Sequence, residues 1–503
     1  MQKATSSGQN ESPQVIVIGA GIAGLATTLR LAKIGLRVTL LERHGHIGGK
    51  NWTVPSKAGP IDAGPATLTL RHVFDDLFAN AGERLEDHVE LIRQSTIARH
   101  FWPDGSQLDL YDDPDASVEA IRAFSGDKSA KEFVAFSKRA RELFEAFQIP
   151  MIHTAAPNLN SVSAHLMRNR ALIPLMAPFS TLKILLHSNF SDPRLRQLFG
   201  RHAVSLGGAP GHAHSLLALT WHTEAAGTWA VKGGVHKLAE AIAKLATKFG
   251  ADIQTGAHVE RVDHGVGGQY RVQLAGGRNL PCNVLVYAGD PRALADGALG
   301  LGFRSCAVHT LGTPRSFSAR VHSFAATPKG PELARHNIFF SDDPDGEFTD
   351  LMADRLPKDP SIDVYALDRG LGSPPPALER FKIFSNAPAQ SAELEATKHW
   401  HPKILKMMAR FDLSFDPTPD HLTVTSEVDF AEMFPGSLGA LYGQSPHGLL
   451  SSFKRPTART HLPGVYLAGG GCHPGAGLPM VATSGQRAAE AILNDRIFAK
   501  SYA

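Results

Sequence analysis

Three glycines and one carboxylate near the N-terminus lie at spacings that suit one task, the holding of a diphosphate. They belong to Val15-Ile-Val-Ile-Gly-Ala-Gly-Ile-Ala-Gly24 and to the later Leu40-Leu-Glu-Arg43. Gly19 permits a sharp turn, Gly21 lets backbone come close to phosphate oxygens, and Gly24 lets a helix pack tightly on a strand. Glu42 supplies a carboxylate that accepts ribose hydroxyls. The elements needed to position these groups are written around them. The β-branched run 15–18 predicts a strand, and Ile22, Leu25, Leu29 and Ala32 repeat at helical spacing before Gly35. Residues 37–41 predict a second strand that delivers Glu42. The free N–H groups and positive dipole end of the helix then face the anion. The spacing predicts a dinucleotide site.

A second glycine pair follows the acid, in Arg43-His-Gly-His-Ile-Gly-Gly-Lys50. This extension resembles the two-dinucleotide-binding motif of FAD-dependent oxidoreductases, where the pair passes close over the diphosphate. Lys50 stands where that family more often has Arg, so a bidentate phosphate contact becomes a point-charge contact. Far along the chain, Pro463-Gly-Val-Tyr-Leu-Ala-Gly-Gly-Gly471 reads as another strand running into glycines. Gly475-Ala-Gly-Leu-Pro479 precedes a helix over 480–494. Its N-terminus is suited to stabilise negative charge on a reduced flavin ring.

The chain has 503 residues, with 51 basic against 48 acidic side chains, which gives no nucleic-acid footprint. Its three cysteines, Cys282, Cys306 and Cys472, are scattered and lack CxxC spacing, which fits a reducing cytoplasm. Residues 1–12 are polar, lack the apolar core of a signal peptide and are expected to be a disordered tail. No segment qualifies as a membrane span. The paired histidines His44/His46 and His212/His214 lack a third ligand nearby, so no metal is expected.

The expected fold is α/β, a Rossmann-like FAD-binding domain with an inserted α+β substrate domain. Three pieces, 13–94, 229–291 and 456–497, are assigned to cofactor binding, and 95–228 and 292–455 to the substrate domain. Within the second cofactor piece, 233–250 reads as an amphipathic helix with apolar Leu238, Ile242 and Leu245, followed by strands at 251–253, 258–262, 269–274 and 284–287. One stretch of the first substrate block is apolar and uncharged, Ala171-Leu-Ile-Pro-Leu-Met-Ala-Pro-Phe-Ser-Thr-Leu182. It reads either as a buried core helix or as a surface element that dips into a bilayer with Arg170 and Lys183 at the headgroups.

Gly469-Gly-Gly-Cys-His-Pro-Gly-Ala-Gly-Leu478 is similar to the C-terminal signature of bacterial carotenoid desaturases of the phytoene-desaturase type, and Ile61-Asp-Ala-Gly-Pro-Ala-Thr67 to the stretch that family places beside its flavin. Cys472 stands where phytoene desaturases usually carry Thr. Segments 67–76, 335–341, 364–369 and 439–448 resemble the hydroxyneurosporene dehydrogenase branch, the 1-hydroxycarotenoid 3,4-desaturases. The resemblance implies FAD held by Gly19, Gly21, Ala23, Gly24, Glu42, Arg43, Gly48, Gly49 and Lys50, by Gly64, Pro65, Ala66 and Thr67, by Val259, and by Gly469, Gly470, Gly477, Leu478, Pro479 and Met480. It also implies an acyclic 1-hydroxy or 1-methoxy carotenoid as substrate, in the pigment synthesis of phototrophic bacteria.

Desaturation removes a hydride and a proton from adjacent carbons, and no side chain accepts a hydride, so a flavin must carry that step. Arg335, His336 and Asn337 are candidate partners for the substrate hydroxyl. His473 is the candidate for proton transfer, and Cys472 reads as small packing. A lipid-dissolved substrate further predicts a cytoplasmic enzyme docked peripherally on the inner or photosynthetic membrane, with quinone or oxygen as electron acceptor. The alternatives are phytoene desaturation or carotenoid isomerisation, oxidation of an amine or a porphyrinogen, and a prenyl-lipid escort without redox chemistry.

Overall fold

A computed structural model describes residues 14–265, 269–390, 397–419 and 422–495; the expected N-terminal tail lies outside them. Five parallel strands form the central sheet, in the order Val465–Leu467, Val284–Tyr287, Gln14–Ile18, Arg37–Leu41, Asp252–Gln254. Three separated stretches of chain therefore meet in one sheet. Its middle strand is apolar on both faces, with Val15, Ile16 and Val17 fully buried, as a strand covered on both sides must be. The helices Ile22–Lys33, His236–Lys248 and Leu478–Asn494 contribute to the core on one face. The predicted strands and helices of this region all form, with ends displaced by at most three residues.

The fold class matches the sequence expectation. An eight-stranded mixed sheet makes the second layer, and its central strands are His336–Phe339, Ile362–Ala366 and Glu379–Ala387. Helices from Pro114–Phe147 to Thr220–Ala225 cover part of it and enclose a second core around Phe133, Phe136 and Phe199. A three-stranded antiparallel sheet, Val259–His264 with Tyr270–Leu274 and Asn279–Cys282, flanks the first layer.

The apolar stretch at 171–182 is not one helix. Leu172–Met176 makes a single turn and a half, Ala177 takes a left-handed φ of +48°, and a new helix starts at Leu182–Asn189. Pro178 cannot continue the first helix, which accounts for the break. Met176 and Leu182 are buried, whereas Phe179 is 99% exposed and Ile184 60%. The segment thus has two faces, one in the core and the other in solvent. Among the described residues no helix is long and apolar enough to cross a membrane.

Candidate functional site

The opening turn is built almost wholly from backbone. Gly19 adopts φ +106° and donates its N–H to the Leu41 carbonyl at 2.8 Å, which ties the turn to the second strand. A Cβ on Gly24 would lie 2.0 Å from the Gly19 carbonyl oxygen, so this glycine sets the helix-to-strand distance. A Cβ on Gly21 would meet nothing within 4 Å. That position faces open space. The helix starting at Ile22 has no side-chain cap and no acidic residue in its first turn, so its leading N–H groups and dipole are uncompensated.

The second glycine pair closes against the first. Gly48 donates to the Ala20 carbonyl at 2.8 Å, and a Cβ on Gly49, at φ +59°, would stand 3.0 Å from the Gly21 Cα. Glu42 is buried, and its two carboxylate oxygens accept the N–H groups of Ala20 (2.8 Å) and His44 (2.9 Å). Those bonds hold the two loops together while each oxygen keeps a further acceptor site for a ribose hydroxyl.

Lys50 lines the same space and has partners of its own. Its ammonium donates to the carbonyls of Leu441 (2.6 Å) and Ala440 (3.3 Å), and burial pushes it down to about 8. It ties the loop at 440–441 to the cradle and keeps one further N–H at the cavity. Asp62 likewise has a structural task, accepting Val235 N–H at 2.7 Å and His236 Nδ1 at 2.9 Å, which anchors the segment 63–67.

A second uncapped helix opens nearby. Gly477, at φ +105°, precedes Leu478–Asn494, which has no side-chain cap and no acidic residue in its first turn. A Cβ at Gly477 would also meet open space. The two helices are pressed together where Gly485 meets the Ala23 carbonyl, 2.4 Å from a would-be Cβ, and Thr27 donates to the Gly485 carbonyl at 3.0 Å. Both helix starts therefore face one space. Two glycine cradles that side chains would fill, two unopposed dipoles and a buried ribose-type acid fit a flavin dinucleotide.

That space is a cavity of about 2030 Å³. Every cofactor position expected from sequence lines it except Gly24, which packs behind it. The cavity continues between the helices and one face of the large sheet, past Phe147, Val162 and Leu186, and reaches exposed Phe179. The sheet face carries polar groups that sequence reasoning did not find: Asp363, Tyr365 and Lys382, beside His336. Only register brings them together, His336 opposite Tyr365 and Tyr365 opposite Lys382. Lys382 reaches the cradle, donating to the Gly64 carbonyl at 2.6 Å, and burial lowers it to about 8.

Of the three residues expected to meet the hydroxyl, His336 alone lines the cavity. Arg335 is turned away and donates to the carbonyls of Leu367 (2.6 Å) and Arg369 (3.1 Å). Asn337 is buried and bonded to Ala334 and Val364. Alternation along the strand separates them. His473 does line the cavity, but burial holds its imidazole down at about 4 and its Nε2 meets the Thr154 carbonyl at 2.9 Å. A neutral, bonded ring of that kind is a weak base at neutral pH. Cys472 is buried and its thiol is pushed well up by burial, so it packs. His44 and His214 bond the carbonyls of Met433 and Pro178.

Residues 22–351 match the family model of flavin containing amine oxidoreductases. The chain is 46% identical over 484 residues to the hydroxyneurosporene desaturase of Cereibacter sphaeroides, covering 96% of this chain and 98% of that one. It is 44% identical to the enzyme of the same name from Rhodobacter capsulatus, with 96% and 98% covered. Identity to the 4,4'-diapolycopene oxygenase of a Methylomonas species is 28%, with 97% and 99% covered. Among solved structures, putrescine oxidase bound to putrescine shares the fold at TM-score 0.63 and 15% identity, with 96% and 99% covered. Cyclohexylamine oxidase from Brevibacterium oxydans does so at TM-score 0.60 and 18% identity, with the same coverage.

Proposed function

The chain belongs to the family of flavin containing amine oxidoreductases, and from that premise we infer that it is an FAD-dependent carotenoid desaturase, placing a 3,4 double bond in acyclic 1-hydroxycarotenoids. Its cofactor is FAD. Bound FAD supplies the hydride acceptor that the side chains lack. The residues that would hold it are the glycines at 19, 21, 48 and 49 at the diphosphate, Glu42 at the ribose, and the segments 63–67 and 469–480 nearer the ring. The single observation that carries this reading is continuity: one cavity joins the dinucleotide cradle to a long apolar passage.

The chain's own task is to thread a polyene, align one C–H bond and keep water out. Apolar lining does the last two. A carotenoid taken from lipid is already out of water, so its burial here yields little of the usual ~25 cal/mol per Å². Affinity must come from shape and from few polar contacts, and the substrate must enter from a membrane. The mouth suits that route. Phe179 is 99% exposed beside the cavity, Ile184 stands on the next helix, and Lys183 is at the rim. These residues dip into the bilayer surface with the cation at the headgroups. Electrons leave the flavin for quinone or oxygen, which anaerobic turnover with and without added quinone separates.

Supplying neurosporene, phytoene and 1-hydroxyneurosporene to separate pigment-producing hosts tests the reaction. Conversion of the hydroxylated pigment alone to its 3,4-didehydro product is expected; conversion of phytoene instead would make it a phytoene desaturase. For the mouth, Phe179→Asp with Ile184→Asp should move the protein from the floating to the aqueous fraction with vesicles, and unchanged flotation would rule this segment out.

A further inference from the structure

The cavity carries polar groups for which hydride removal has no use. His336, Tyr365 and Lys382 stand in register across three strands and line the cavity together. Lys382, bonded to the Gly64 carbonyl, marks the cradle end of this row. Its ammonium lies 4.3 Å from the centre of the Tyr365 ring, and that ring stacks on His336 at 4.3 Å and 7°. One step along the same face stands Asp363, between Ile338 and Phe384 on the neighbouring strands. His336 Nε2 meets its Oδ1 at 2.8 Å. Among the described residues no donor reaches Oδ2, and the side chain is 31% exposed where it lines the cavity.

We propose that Asp363 Oδ2 accepts the O–H of the substrate's terminal hydroxyl, with His336 as the positioning residue that aims the carboxylate. This rests on the desaturase reading of the cavity and names the group that selects its substrate. Distance supports it. Carbons 3 and 4 are two and three bonds from the carbinol carbon, so ordinary bond lengths keep the hydroxyl within about 5 Å of the carbons oxidised. Asp363 lies two residues, about 7 Å, along the sheet from the row that touches the cradle. The hydroxyl and this carboxylate thus belong to the same end of the passage.

Two other carboxylates of the passage are already engaged. Glu224 lines the cavity but accepts from both terminal nitrogens of the Arg201 guanidinium, one of them at 3.2 Å. Burial alone would raise the Glu224 carboxyl, yet Arg201 and His202 hold it down at about 2. Glu347 accepts Asn386 Nδ2 on one oxygen and both Ser361 donors on the other. A carboxylate oxygen with no donor from the protein takes one from a ligand and disfavours an end that has none. A methyl ether or a plain hydrocarbon end would leave it dry and unpaired, which selects against both.

The test compares the 3,4-didehydro product with its 1-methoxy ether, neither of which needs to turn over, as ligands of the oxidised holoenzyme in vesicles. Wild type should bind the hydroxyl form about 10- to 100-fold tighter, the range of one charge-assisted hydrogen bond. Asp363→Leu should bring that ratio to about 1, by loss on the hydroxyl ligand, and kcat/KM for the hydroxylated substrate should fall alike. Asp363→Asn, nearly isosteric, keeps a carbonyl acceptor and should retain part of the preference, as should His336→Phe, which preserves the stack on Tyr365. A wild-type flavin spectrum reports that each variant is folded. A wild-type ratio near 1, or an unchanged ratio in flavin-loaded Asp363→Leu, overturns the assignment. A wild type that desaturates no hydroxycarotenoid overturns the desaturase reading itself.

Discussion

At one end of the cavity the wall is backbone, and at the other it is side chain. The cradle presents glycine Cα atoms and free N–H groups from two helix starts, with Glu42 spanning two loops through their amides. The substrate passage presents Phe147, Val162 and Leu186, broken by the polar row on the sheet. Backbone recognition tolerates almost no substitution because the missing Cβ is the binding surface. Side-chain recognition tolerates many, provided volume and the few polar positions are kept. The first end is built for one cofactor, and the second can be re-cut for different polyenes.

Substitutions at the two ends should therefore fail in different ways. Gly21→Val points into open space and should leave the apoprotein's melting temperature unchanged while FAD retention drops by more than about 100-fold, since the diphosphate can no longer approach. Flavin absorbance against protein, with calorimetry, reads both. Gly24→Ala sits three residues away and should do the reverse. Its Cβ would overlap the Gly19 carbonyl at 2.0 Å, so about 3 kcal/mol or more of fold stability is lost, visible in urea unfolding.

In the passage, Glu347 gives a pH-dependent effect. Burial raises its carboxyl from 4.5 to about 7, against the hydrogen bonds from Asn386 and Ser361. The folded state then holds a proton that the unfolded chain releases, so stability is highest below the ordinary carboxyl range. It falls as pH rises through about 7 and is level above that. Glu347→Gln should gain on the order of 3 kcal/mol over wild type at pH 8 and almost nothing at pH 4, by melting at the two pH values. Leu166→Trp narrows the passage and should lower turnover about 10-fold with full flavin content, by pigment conversion per bound FAD.

The same contrast explains what could be read from the chain alone. Turn and close-approach geometry demands glycine at fixed spacings, so the cradle is written locally in 19–24, 48–49 and 469–477. The tie from Lys50 to the carbonyls at 440 and 441 was not legible, because those partners lie far away in sequence. Apart from His336, the polar row was invisible for a similar reason. His336, Tyr365 and Lys382 become neighbours only through strand register, and alternation turns Arg335 and Asn337 to the other side. The stretch at 171–182 gave two readings because it has two faces, Leu182 buried and Phe179 in solvent.

The central claim is that cradle and passage are one continuous space, so a threaded pigment meets the flavin directly. Anaerobic mixing of the purified holoenzyme with 1-hydroxyneurosporene in vesicles, without added acceptor, tests it. The visible flavin band should bleach as the 3,4-didehydro pigment forms, one flavin reduced per double bond. A flavin band that stays intact while the protein holds both FAD and pigment would contradict it.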